Sequence, residues 1–311
     1  MQLLKFTFVT LLFTAGLSAC GNPNQELIDS APLISESYTD DLNRDLKLAK
    51  VPERIVSMAP NVTEVIYALG KEDHLVARSH VCDFPDDAYN KLEITTFPSL
   101  DLPSIVAQEP DLILASSEIH SEQIIASFEQ LRLPLLYQSY NRLEDVWRNM
   151  NTIGAMLHAK EEAQRLTDSL ARMVQTIADS TEGEIGYRTA ILVGIDPITV
   201  VGKKCFMHEA LEKCGGKNVF ASLDESYPTV TAEQLVQAAP EYILLPSNND
   251  QVYQELIAKY PDLHTKLPAA LDNHVFLTRP DLIARPGPRI VEGMVELVRI
   301  LHPRVDLTEL L

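Results

Sequence analysis

With 44 acidic against 26 basic side chains in 311 residues, a net charge of −18, the chain lacks the basic stripes that a phosphate backbone demands, and nucleic-acid partners are excluded. Its apolar fraction of 46% is that of an ordinary soluble protein, and its length supports a large core divided between two lobes.

The N-terminus reads as an export signal. Lys5 precedes an apolar run over residues 6–17, too short to span a bilayer and suited to a signal peptide. The run ends Leu17-Ser18-Ala19-Cys20, which resembles a bacterial lipoprotein box. Residues 1–20 are therefore expected to be a lipoprotein signal peptide, with Cys20 as the lipidated first residue of the exported chain. Gly21 behind it, in place of Asp, points to the outer membrane in a cell that has two. Residues 21–36 are polar and aperiodic, as a flexible tether is. Three further cysteines follow. Cys205 and Cys214 lie too far apart on one expected helix to bridge. A Cys82–Cys205 pair stays open, as does burial of all three as small hydrophobes.

Past the tether, residues 38–50 predict a hairpin turning at Leu42-Asn43. Residues 52–59 predict a buried strand and residues 60–70 a helix, with Asn61 or Thr63 as cap, Glu64 in the first turn and Gly70 as stop. Strands are expected at 75–79, 93–97, 111–116 and 133–139, and helices at 102–109 and 121–132, the latter capped by Ser121. Residues 141–180 contain no Pro. Their second half repeats Ala163, Leu166, Leu170, Met173, Val174 and Ile177 at helical spacing, with alternating charges on the opposite face. The pattern then restarts. Strands are expected at 188–195, 198–202, 241–246 and 274–278, and helices at 205–214, 231–239, 250–260 and 286–302. Alternating strands and helices mark parallel sheets. The expected architecture is two α/β lobes, 37–140 and 181–311, joined by one long rigid helix within a helical region, 141–180, with a ligand cleft between the lobes.

No phosphate-binding loop, dinucleotide fingerprint or hydrolase elbow is present. His80-Val81-Cys82-Asp83 has metal-ligating residue types but no partner motif, so no resident metal, cofactor or catalytic residue is expected. Ligands of open α/β sheets sit beyond the carboxyl ends of the strands. Those ends direct attention to His80, Phe84, Phe97, Glu118, Ile119, Tyr227, Arg279, Asp281 and Leu282 as ligand-binding candidates, with aromatic and apolar members suited to a large, partly apolar ligand.

From about residue 38 to 301 the chain resembles the periplasmic binding proteins of ABC importers for cobalamin, haem and ferric siderophores, and most of all those for vitamin B12. The resemblance rests on Pro52-Glu53-Arg54-Ile55-Val56-Ser57-Met58-Ala59-Pro60 with Thr63-Glu64, and on Cys82-Asp83-Phe84-Pro85. It continues through Pro110-Asp111-Leu112-Ile113-Leu114, Glu212-Lys213-Cys214-Gly215-Gly216-Lys217-Asn218 and Arg285-Pro286-Gly287-Pro288-Arg289-Ile290. It implies two lobes on one helix that move little on binding, and a monomer that hands its ligand to a membrane permease and ATPase complex. Residues 197–216, with the ligand-binding candidate Thr199, and 227–230 fall where the resemblance implies the cleft lining. Phe97 and Tyr227 stand where it implies Trp, Asp281 where it implies an Asp near the ligand, and Val81 and Leu282 where it implies aromatics. It also implies one exposed Glu per lobe for permease docking. The matching positions hold Pro103 and Ala284, so Asp101 and Glu292 are the expected substitutes. The alternatives are a haem binder using His80, His120 or Tyr227, a carboxylate siderophore binder using Arg78, Arg279 and Arg285, and, remotely, a chelate-processing enzyme using His80 and Cys82.

Overall fold

A computed structural model of the chain describes residues 36–96, 99–117 and 122–308. Cys20, Phe97, Glu118, Ile119, His120 and Ser121 lie outside the described residues. An antiparallel hairpin, β1 (Glu36–Thr39) and β2 (Asp45–Leu48), comes first, turning through Asn43 at φ 58°. Its first strand takes up the residue expected to end the tether.

The first lobe runs β3 (Ile55–Ser57), α1 (Pro60–Ala68), β4 (Leu75–Ser79), β5 (Leu92–Ile94), α2 (Leu102–Val106), β6 (Leu112–Ser116), α3 (Glu122–Gln130) and β7 (Leu135–Gln138). The sheet order is β5-β4-β3-β6-β7, parallel throughout. β3, β6 and β7 are buried along their whole length, which is why they read as apolar runs without alternation. Neither Asn61 nor Thr63 caps α1. Ala59 holds the cap position, and the Thr63 hydroxyl donates to Ser57 Oγ at 2.8 Å.

Two helices follow, α4 (Leu143–Met156) and α5 (Lys160–Ser180). The sequence reading took 141–180 as one helical region and gave a helical period only to the second. His158, at φ 50°, breaks the chain between them. They cross so closely that a Cβ on Gly154 would collide with Ala163 Cβ, so glycine is required there. At 21 residues, α5 is about 31 Å long. Its buried stripe of Ala163, Leu170, Val174 and Ile177 joins the largest core cluster, which contains Ile55 and Leu114 of the first lobe and Ile191, Phe206 and Val298 of the second. One continuous apolar core thus passes behind both lobes, and parting them would expose it.

The second lobe comprises β8 (Arg188–Ile195), β9 (Ile198–Val200), α6 (Phe206–Lys213), β10 (Lys217–Asn218), α7 (Ala232–Ala238), β11 (Tyr242–Pro246) and α8 (Val252–Lys259). It ends with α9 (Asp262–Lys266), α10 (Pro268–Leu271), β12 (Val275–Thr278), α11 (Pro280–Ile283) and α12 (Ile290–Leu301). The order β10-β8-β11-β12 is parallel, and β9 folds back antiparallel on β8. The sequence reading missed β10, α9, α10 and α11, each of five residues or fewer, because so short a stretch carries no period. α12 starts four residues later than expected, after Pro286 and Pro288 rather than on them.

Candidate ligand cleft between the lobes

The carboxyl ends of β3, β4, β8 and β12 converge on a cavity of about 410 Å³ that is open to solvent. The first lobe contributes Pro60, Asn61 and Val81 to its wall. The second contributes Val193, Met207 and Tyr227, then Pro280, Asp281, Ala284, Arg285 and Pro286 from the segment around α11. Apolar side chains dominate, with an asparagine, a tyrosine and two charges as the polar handles.

Those two charges belong to a cluster that ties the lobes together. Glu64 of α1 has a side chain only 2% exposed, and it faces two arginines of the second lobe. Arg289 donates to it through Nη2 (2.7 Å) and Nε (3.0 Å), and Arg285 through Nη1 (3.3 Å). Arg285 also forks onto Asp83 at 2.6 and 3.1 Å, and Arg289 Nη1 reaches Asp281 at 2.9 Å. The Arg289 guanidinium lies 4.0 Å above the Phe84 ring. Burial acts to raise the Asp83 pKa, but the hydrogen bond and charge of Arg285 outweigh it and hold this carboxyl below its ordinary value. Burial acts to lower Arg285 and Arg289, and their carboxylate partners outweigh it and raise both.

Of the predicted ligand residues, Tyr227 and Asp281 stand in the cavity wall. Phe84 is 41% exposed and packs under Arg289, beside the wall rather than in it. His80 precedes the wall residue Val81, and its Nδ1 accepts from the Thr96 backbone N–H at 3.4 Å. The Thr199 hydroxyl donates to the Pro197 carbonyl at 3.2 Å, and Thr199 is not part of the wall. Two expectations are corrected outright. Arg279 is held by Glu296 of α12 at 2.8 Å, outside the wall. Leu282 is 1% exposed and packs against α12, where its carbonyl sits so near Gly293 that any Cβ there would clash. Within the short helix α11, Asp281 therefore faces the cavity and its neighbour Leu282 faces the core.

Other expectations change as well. Cys82, Cys205 and Cys214 are buried, and Cys82 and Cys205 form no disulfide with each other, so the Cys82–Cys205 pair does not form. Burial pushes the Cys82 thiol up to about 12, which leaves no thiolate for chemistry beside His80. Arg78, offered for carboxylate siderophores, is 1% exposed and bonds the carbonyls of Ala88 and Ser79 and the Glu93 carboxylate. Asp101 is the N-cap of α2: hydrogen bonds from the Ser104 hydroxyl and N–H hold it below its ordinary pKa and occupy both its oxygens. Glu292 is exposed on the first turn of α12.

Sequence reasoning named Arg285 but missed the roles of Glu64, Asp83 and Arg289. Glu64 and Arg289 lie 225 residues apart, so no local pattern pairs them. The available signal was the two-arginine run at 285–289 opposite a Glu set among otherwise uncharged helix residues.

Residues 55–282, nearly three-quarters of the chain, match the periplasmic binding protein family. The chain belongs to that family. A vitamin B12-binding protein of Vibrio parahaemolyticus is 28% identical over 253 residues, which cover 81% of this chain and 90% of the relative. An ABC transporter substrate-binding lipoprotein of Bacillus subtilis is 28% identical over 94% of this chain and 95% of its own length. The crystal structure of a periplasmic vitamin B12-binding protein of Vibrio cholerae superposes with a TM-score of 0.68 at 25% identity, covering 81% of this chain and 97% of that one. This periplasmic binding protein is therefore of the substrate-binding transport class, with the two-lobe fold of its relatives. Among its described residues no helix is long and apolar enough to cross a membrane.

Proposed function

We propose that this periplasmic binding protein captures cobalamin or a related corrinoid in the interlobe cleft and delivers it to an ABC permease, tethered to the membrane by a lipid on Cys20. The observation that carries the ligand class is the combination of an apolar wall with arginines that are already ion-paired. A corrinoid offers a large apolar ring edged by uncharged carboxamides, and it needs no free cation. Haem propionates and siderophore carboxylates gain most from unpaired guanidinium donors, and Arg78, Arg279, Arg285 and Arg289 are all engaged. The lipid anchor draws support from the Bacillus subtilis lipoprotein, whose match extends over 94% of this chain.

The test is calorimetric titration of the processed protein with cyanocobalamin, haemin and a panel of ferric siderophores. One-to-one binding of the corrinoid alone is the expected result. A haemin band shift without corrinoid heat would replace the ligand and keep the transport class. A Cys20→Ala variant is expected to leave the membrane fraction and become soluble.

A further inference from the structure

We infer that Glu64 is a specificity-determining residue: as the hub of the interlobe ion cluster it occupies the guanidinium donors of the cleft and bars anionic ligands from it. The inference deepens the corrinoid reading and rests on it for the choice of probe.

Two of the cluster's five charged residues, Arg285 and Asp281, border the cavity, so a ligand meets the cluster directly. Glu64 takes three hydrogen bonds from two arginines, and Asp83 and Asp281 take the donors that remain nearest. Three carboxylates thus face two guanidiniums, a formal net charge of −1. An incoming anion can gain a guanidinium only by displacing a carboxylate already bonded to it, and it enters the field of the surplus negative charge. An uncharged ligand meets neither obstacle. The Asp281 side chain, 32% exposed, can accept hydrogen bonds from a carboxamide N–H. A cleft built for anions would leave Arg285 and Arg289 unpaired. Here the first lobe reaches across with Glu64 and Asp83 to neutralise them. Glu64 therefore couples lobe spacing to ligand charge, although none of its atoms needs to touch the ligand.

The test compares cyanocobalamin, whose net charge is zero because its phosphodiester is balanced by the cobalt–corrin cation, with its monocarboxylic acid derivative, in which one peripheral amide is hydrolysed. The two match in shape and differ by one negative charge. The wild-type protein is expected to bind the acid at least tenfold more weakly at low ionic strength. Glu64→Gln keeps the side chain's shape and removes its charge, and it is expected to shrink that gap to threefold or less. Because Glu64 is buried, Asp83→Asn supplies a second variant on a side chain that is 47% exposed. It removes one of the two carboxylates paired with Arg285, leaving Glu64, and is expected to shrink the gap in the same direction. A purely structural role would weaken both ligands alike and leave their ratio unchanged. An unchanged ratio in the variants that fold, as shown by circular dichroism and melting, would overturn the inference. Absence of any corrinoid binding in the wild type would instead overturn the proposed ligand. The cluster is then tested with haemin and ferric citrate: a tenfold gain in either folded variant upholds the filter, and no gain sinks it.

Discussion

The two lobes share an architecture and divide the work of the cleft unequally. Both place a parallel sheet so that its carboxyl ends meet the cavity. The first lobe, with five parallel strands, gives three wall residues and supplies the counter-charges Glu64 and Asp83. The second gives eight wall residues, most of them from the loop, short helix and prolines at 280–286, and holds both arginines. The sheet fixes where a ligand can sit. The loops leaving it decide what that ligand meets.

The comparison breaks most sharply at Glu64. Glu64→Ala leaves two arginines facing a hole where a carboxylate stood. Each keeps a second partner, so the cost is expected to be about 3 kcal/mol, the low end for breaking a buried pair, read by urea unfolding. A cost near zero would mean that the lobes do not depend on the cluster. Leu282→Ala removes a core side chain of the second lobe and is expected to cost about 3 kcal/mol of stability. Its ligand affinity should change less than threefold, which separates core from wall within one short helix. Tyr227→Ala shifts the balance toward the wall, with affinity falling about 30-fold and a smaller loss of stability than Leu282→Ala, since Tyr227 is only partly buried against the core.

The Asp83 contribution is pH-dependent. A depressed carboxyl pKa adds stability above the ordinary value of 3.8, and that stability is lost as pH falls through the lowered one. Wild type should therefore melt above Asp83→Asn at pH 7, and the two curves should converge only once the pH has fallen below the lowered Asp83 pKa. A difference that persists in acid would assign the effect to packing. The smallest effect is expected at Arg279, a side chain 62% exposed and paired with Glu296. Arg279→Ala should change ligand affinity less than twofold, and a tenfold loss would return it to the cleft.

Much of the fold was legible because its signals are local. Buried parallel strands read as apolar runs, Gly70 marks a left-handed stop at φ 65°, and the stripe on α5 repeats at 3.6 residues. The site was legible only in part. Strand ends pointed to Tyr227 and Asp281, which line the cavity, and equally to Arg279 and Leu282, which do not. Which way a residue in a four-residue helix faces depends on the element packed against it, here α12.

The sequence by itself determined the class of the molecule: alternating strands and helices, the helix between two lobes, and the family to which 55–282 belong. These follow from short-range periodicity and from motifs that keep their order along the chain. Only the tertiary structure decided that Glu64 meets Arg285 and Arg289 across the cleft, that the arginines are paired rather than free, and that the cysteines stay apart. The Glu64 pairings join residues more than two hundred positions apart, and the two cysteines whose pairing was open, Cys82 and Cys205, are themselves more than a hundred positions apart. Such contacts come from how two sheets pack on one shared core, and no local pattern of residues encodes them.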